Sequence, residues 1–276
     1  MTTVALLVLV SACSPFRVID KLVPEDGYRA QLGVVYGETE RQRLDIYTPI
    51  KPNNTQTIVM FLYGGSWRSG ERGHYRFVAQ PFAAAGFTTV VPDYRIYPKA
   101  RFPDFVEDAA AAIAWVQRVM VKDAAEPRIL LIGHSAGAHI AALLALDKRY
   151  LAARGLSPKI LKGWVGLAGP YAFNPLKTRS TKPIFASVGD DVRVAQPIHY
   201  VRAGAPPALL LHGTTDTTVY PLNSKQLSLA LRDAGSPVVY RQLKNVGHVG
   251  IVLSIPKPGL GGAQVLDTII EFARKL

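Results

Sequence analysis

Apolar residues gather in short dense runs along the chain, separated by polar, glycine-rich or proline-rich stretches. Residues 57–62, 88–91, 129–132, 162–168, 208–211 and 238–243 are such runs. Their length predicts strands, most of them covered on both faces. Between them the period changes. Residues 75–85, closed by Gly86, and 222–234, closed by Gly235, read as helices, as does the Ala- and Leu-rich stretch 136–146. A longer helix is predicted from Phe102-Pro103-Asp104 to about residue 121, because Phe105, Ala109, Ala112, Val116 and Met120 recur at helical spacing. A terminal helix follows over 263–276. Strands and helices alternate, which predicts an α/β domain with a mostly parallel central sheet and helices on both faces.

Two segments depart from the alternation. Residues 32–36 and 43–47 flank the polar turn 37–40, and Tyr36, Leu44 and Ile46 are apolar beside polar neighbours, the pattern of a half-exposed antiparallel pair. Residues 169–206 contain Pro170, Pro175, Pro183, Pro197 and Pro206 with weak periodicity, and read as an irregular cap, lid or pocket wall.

Composition narrows the class. The chain has 276 residues, 49% hydrophobic and 19% charged, enough for one large domain with a well-buried core. The net charge of +12 is spread without any run of five like charges, and no nucleic-acid-binding motif is present. A solvated basic surface explains the charge better than attraction to an anionic membrane or polymer, and no nucleic-acid partner is expected.

The first residues carry a separate signal. Residues 4–10 are apolar but too few to span a bilayer, and Val10-Ser11-Ala12 precede Cys13, the only cysteine. This resembles a bacterial lipoprotein signal: residues 1–12 removed, Cys13 lipidated, residues 13–30 a tether, and residues 31–276 a single catalytic domain. The departure is that residues 1–16 hold no Lys or Arg. The expected location is the cell envelope, with the protein held to a membrane by its lipid, at the outer membrane where the host has one.

The chemistry centres on Gly133-His134-Ser135-Ala136-Gly137, placed between a predicted buried strand and a predicted buried helix. This is the nucleophile-elbow pattern, in which a tight turn presents a serine at the end of a sheet. The bland alternative is a serine N-cap on an ordinary strand–helix turn. A serine nucleophile needs a base, and the base an acid to orient it; in such sheets both sit in loops after later strands. Asp216 follows the strand 208–211, and His248 follows the last strand. Ser135, Asp216 and His248 fall in the nucleophile–acid–base order of this architecture. Asp190 and Asp191 compete for the acid role but lie in the irregular insertion. His74, His134, His139, His199 and His212 are less well placed than His248. Tyr63-Gly64-Gly65-Ser66-Trp67 follows the first buried strand, where adjacent glycines free backbone N–H groups to meet an oxyanion.

Together with Val91-Pro92-Asp93-Tyr94-Arg95, His212-Gly213-Thr214-Thr215-Asp216 and Gly247-His248, these stretches resemble the α/β-hydrolase superfamily. The closest likeness is to small esterases related to hormone-sensitive lipase, kynurenine formamidase and carbohydrate acetyl esterases. The likeness covers about residues 30–276. It implies a serine hydrolase of carboxylic esters, of short acyl groups, acting through a covalent acyl-enzyme without metal or organic cofactor on a small-molecule ester. It also implies oxyanion donors at the N–H groups of Gly65, Ser66 and Ala136. In relatives the first loop begins with His, where this chain has Tyr63. An amidase or peptidase using the same groups, and a non-catalytic surface binding protein on this scaffold, are the alternatives.

Overall fold

The computed structural model describes residues 23–121, 128–256 and 264–276. The signal, Cys13 and most of the tether lie outside the described residues.

Eight strands form one sheet: β1 (Tyr28–Val35), β2 (Arg43–Pro49), β3 (Ile58–Leu62), β4 (Thr88–Pro92), β5 (Ile129–His134), β6 (Leu161–Leu167), β7 (Ala208–Gly213) and β8 (Val238–Leu243). Their order across the sheet is β1-β2-β4-β3-β5-β6-β7-β8. β1 and β2 pair antiparallel, β2 meets β4 antiparallel, and every later pairing is parallel. β3, β5 and β7 are buried at every position, as expected for strands covered on both faces. The edge strand β8 alternates between half-buried and exposed residues along its first four positions. The fold is that of an α/β-hydrolase.

The helices are α1 (Arg76–Ala84), α2 (Asp104–Met120), α3 (Ala136–Leu146), α4 (Lys148–Ala152), α5 (Leu222–Asp233), α6 (Gly250–Leu253) and α7 (Val265–Lys275). The predicted stripe on α2 is in the core except at Met120, which is partly buried. α3 is buried along its whole length, consistent with a sequence that is apolar on every face. Truncating one of its leucines to alanine would cost about 2–5 kcal/mol.

Three expectations need correction. Residues 28–30, assigned to the tether, belong to β1: Tyr28 pairs with Pro49, and its ring meets Tyr47 edge-on at 5.4 Å. Burial of that ring draws the strand further toward the N-terminus than the apolar pattern shows. β5 and β7 each run two residues beyond their apolar cores, so His134 ends β5 and His212 is the next-to-last residue of β7, and neither lies in a loop. The third concerns residues 169–206, which are irregular as expected but firmly packed, with short 3₁₀ turns at Ala186–Val188, Val192–Ala195 and Pro197–Tyr200. His139 Nε2 on α3 donates to the Ala195 carbonyl at 2.7 Å, and Asn223 Oδ1 accepts from the N–H groups of Tyr171 and Ala172. Trp67 stacks on Phe173 at 5.7 Å and meets Phe185 edge-on at 4.8 Å. The segment covers α3 and the loop after β3. Among the described residues none from it lines the cavity at Ser135.

Candidate active site

Ser135 sits between the last residue of β5 and the first of α3, at φ 54° and ψ −118°. A non-glycine residue held at positive φ is strained, and the elbow holds it there by close packing. A Cβ on Gly133 would come within 2.3 Å of the Gly137 carbonyl oxygen, and one on Gly137 within 2.0 Å of the Leu62 carbonyl oxygen. Only hydrogen fits at either place. The Ser135 N–H is tied to the Leu167 carbonyl at 2.9 Å. Its hydroxyl makes no capping bond to α3, which removes the bland N-cap explanation.

That hydroxyl meets His248 Nε2 at 2.8 Å, and His248 Nδ1 meets Asp216 Oδ2 at 2.7 Å. β5, β7 and β8 end at the same edge of the sheet, so their loops bring the three side chains together. Asp216 is buried, and its Oδ1 accepts from the N–H groups of Thr218 and Val219, both at 2.9 Å. Burial alone would raise its pKa. Hydrogen bonds from His212, His248 and the Val219 N–H outweigh burial and hold the carboxyl well below the usual carboxylate range. Asp190 and Asp191 are exposed in the insertion, and Asp191 is engaged by Arg193.

The loop after β3 completes the site. Gly64 packs against Ser135, where a Cβ would lie 3.0 Å from the serine Cβ. Gly65 (φ 129°) then turns the chain, and its carbonyl accepts from the N–H groups of Arg68 and Ser69. Gly65 and Ser66 line a cavity of about 400 Å³ together with Ser135, His248, His74 and Thr218. Ala136 opens α3 directly behind the serine and is not among the residues lining the cavity.

The BD-FAE family pattern matches residues 44–231, which includes the elbow, the glycine loop and Asp216. The chain belongs to the BD-FAE family.

A probable isoprenylcysteine alpha-carbonyl methylesterase from Oryza sativa subsp. japonica is 30% identical to this BD-FAE chain over 259 residues, covering 86% of the chain and 61% of the rice protein. Esterase LipQ of Mycobacterium tuberculosis is 28% identical, covering 82% of the chain and 58% of that protein. The chain therefore spans about three-fifths of the length of these relatives. Among solved structures, a truncated carbohydrate esterase from gut microbiota superposes with a TM-score of 0.75 at 21% identity, covering 91% of this chain and 98% of the other. At that identity the likeness is one of fold.

Three groups in the BD-FAE site were not assigned a part from sequence. His134 Nε2 donates to the His248 backbone carbonyl at 2.9 Å, and burial pushes its pKa down to about 3, so the ring stays neutral. His212 lies against Asp216, with Nε2 3.2 Å from Oδ2. Tyr63 is buried, stacked between Tyr75 and Tyr94, and its hydroxyl donates to Asp93 at 2.5 Å while accepting from Arg41 at 2.9 Å. Arg72 also reaches Asp93, and the Tyr94 hydroxyl donates to the Tyr63 carbonyl at 2.7 Å. In place of the usual histidine, Tyr63 thus ties the start of the glycine loop to a buried carboxylate.

Proposed function

We propose that this protein hydrolyses carboxylic esters through Ser135, His248 and Asp216. The observation that carries the reading is the unbroken hydrogen-bonded relay from Ser135 Oγ through the two ring nitrogens of His248 to Asp216 Oδ2. Asp216 fixes the tautomer with the proton on Nδ1, which leaves Nε2 free to take the serine proton. The serine oxygen attacks the ester carbonyl, and the N–H groups of Gly65, Ser66 and Ala136 receive the oxyanion. One such donor is worth roughly 3–4 kcal/mol to the transition state. His248 then protonates the leaving alcohol, and water releases the acid by the same steps. The relatives' names, all of them esterases, support the reaction class.

The small cavity, walled by Gly64, Gly65, Ser66, Ser69 and Thr218, favours a short acyl group. The test is hydrolysis of chromogenic esters from acetyl to long-chain, with Ser135→Ala alongside. Acetyl or butyryl turnover that vanishes in the variant supports the reading. Turnover that survives Ser135→Ala, or a folded wild type that cleaves no ester and takes no fluorophosphonate label, overturns it.

The envelope location belongs to the same proposal. Its support is the apolar stretch 4–10 followed by Ser11-Ala12-Cys13. Among the described residues no helix is long and apolar enough to cross a membrane, so a lipid on Cys13 would be the anchor. Metabolic labelling with an alkynyl fatty acid should mark the wild type and not Cys13→Ser; equal labelling would remove the anchor from the proposal.

A further inference from the structure

Asp216 Oδ2 has two histidines on it. His248 Nδ1 stands at 2.7 Å and His212 Nε2 at 3.2 Å. His212 is the next-to-last residue of β7, four residues before the carboxylate, and is completely buried. Its Nε2 is also 2.8 Å from the Val219 carbonyl oxygen. A carbonyl can only accept, so Nε2 carries a hydrogen, shared between Val219 and Asp216 Oδ2. Nδ1 lies 2.7 Å from Ser224 Oγ on α5, and in the neutral ring it accepts that hydroxyl proton. The Val219 carbonyl thereby fixes the tautomer that points an N–H at the acid, and the Ser224 hydroxyl holds the other end of the ring. With Oδ1 already taken by two backbone N–H groups, the carboxylate is surrounded by four donors.

We infer that His212 is a positioning residue for this reaction, which weakens the basicity of His248 by sharing the Asp216 oxygen that His248 uses. The inference rests on the esterase reading above. A carboxylate oxygen that accepts two N–H groups offers each a smaller share of its charge. The imidazolium formed on His248 is then less stabilised than it would be beside an unshared carboxylate. The low pKa direction of Asp216, to which the His212 bond contributes, agrees with this sharing. The other titratable groups facing the base are His134, from the end of β5, and His74, which lines the cavity with Glu71 3.9 Å behind it. Burial keeps His134 neutral through the working range.

The chain offers a matched pair of substitutions. The Gln side-chain amide reaches the place of Nε2 and keeps a donor there, whereas Asn is too short and reaches only the place of Nδ1. The experiment follows kcat/KM against pH with a neutral acetyl ester for the wild type, His212→Asn and His212→Gln. His212→Asn should move the acid limb to higher pH by about 0.5–1 unit, with KM nearly unchanged. His212→Gln should return the limb toward the wild type. An acid limb that stays in place in folded His212→Asn, or moves equally in both variants, overturns the inference. If His212→Asn does not fold, Ser224→Ala removes the hydrogen bond that holds the His212 ring in line with Asp216, and its limb should move the same way by less; no movement counts against the inference. An NMR titration of the His248 ring reads the same shift without turnover. A raised His248 pKa in the variant upholds the role of His212 even where no ester is cleaved, so the two readings fail separately.

Discussion

The rings of His134 and His248 lie with centroids 5.0 Å apart, and His134 Nε2 holds the backbone carbonyl of His248. The residue just before Ser135 thus holds the main chain of the histidine that meets the Ser135 hydroxyl. A neutral ring serves this purpose, because one nitrogen must donate, and burial outweighs the attraction of Asp216 for a charged ring.

That neutrality predicts acid sensitivity. Burial pushes His134 down to about 3 and His139 down to about 4, from an ordinary 6.5. Between those values and 6.5 the unfolded chain binds protons that the folded one refuses, so stability rises with pH across the window and is lost as pH falls. Both histidines contribute from 6.5 to about 4, and His134 alone down to about 3, each at up to roughly 1.4 kcal/mol per pH unit. Urea denaturation at pH 7, 5.5 and 4.5 should give falling midpoints, and His139→Phe should flatten the slope. A midpoint constant over that range contradicts the burial argument.

Asp216→Asn should leave the fold near intact and lower kcat by about four orders of magnitude, because the amide no longer fixes the proton on Nδ1 of His248. Steady-state kinetics at pH 7–8 checks this. Loss of less than tenfold would place the acid elsewhere.

Tyr63→Phe should strand one donor from Arg41 and one lone pair of the buried Asp93. The expected cost is about 1–3 kcal/mol in stability. Because Tyr63 leads directly into Gly64 and Gly65, kcat should fall more than KM rises. Chemical denaturation and kinetics on the same preparation separate the two effects.

Two glycines, one in the elbow and one in the turn after α4, make a graded prediction. Gly137→Ala would drive a methyl to within 2.0 Å of the Leu62 carbonyl oxygen and should greatly lower soluble yield and Tm. Gly155→Ala, at φ +70° with nothing within 4 Å, should cost only about 1–2 kcal/mol from backbone strain. Thermal melts of both decide whether contact or conformation dominates.

Much of this was legible in the chain. β3, β5 and β7 were visible because strands buried on both faces are continuously apolar. Ser135, Asp216 and His248 were visible because the architecture fixes their order at strand ends. The contacts of His134 and His212 are not legible in the sequence, where one lies inside the elbow and the other precedes the candidate acid. A polar residue at a strand end shows its partner only when neighbouring strands are in register. The packing of residues 169–206 is not legible in the sequence for a related reason. Proline content predicts irregular backbone, but the bond from His139 to Ala195 depends on which helix lies beneath. The part played by Tyr63 depends on Asp93 and Arg41, each more than twenty residues away in sequence.

Arg41 sits in the turn between β1 and β2, at the far edge of the sheet from β8. From there its guanidinium donates to the Tyr63 hydroxyl, the Gly70 carbonyl and the Tyr94 carbonyl, at 2.9, 2.8 and 2.9 Å. The peripheral hairpin is therefore a brace for the glycine loop. A fragment trimmed to begin at β2 would keep the other strands and all three relay residues yet lose that brace. The smallest competent unit starts ahead of the hairpin, and its turn is a poor place to graft a tag or open the chain for circular permutation.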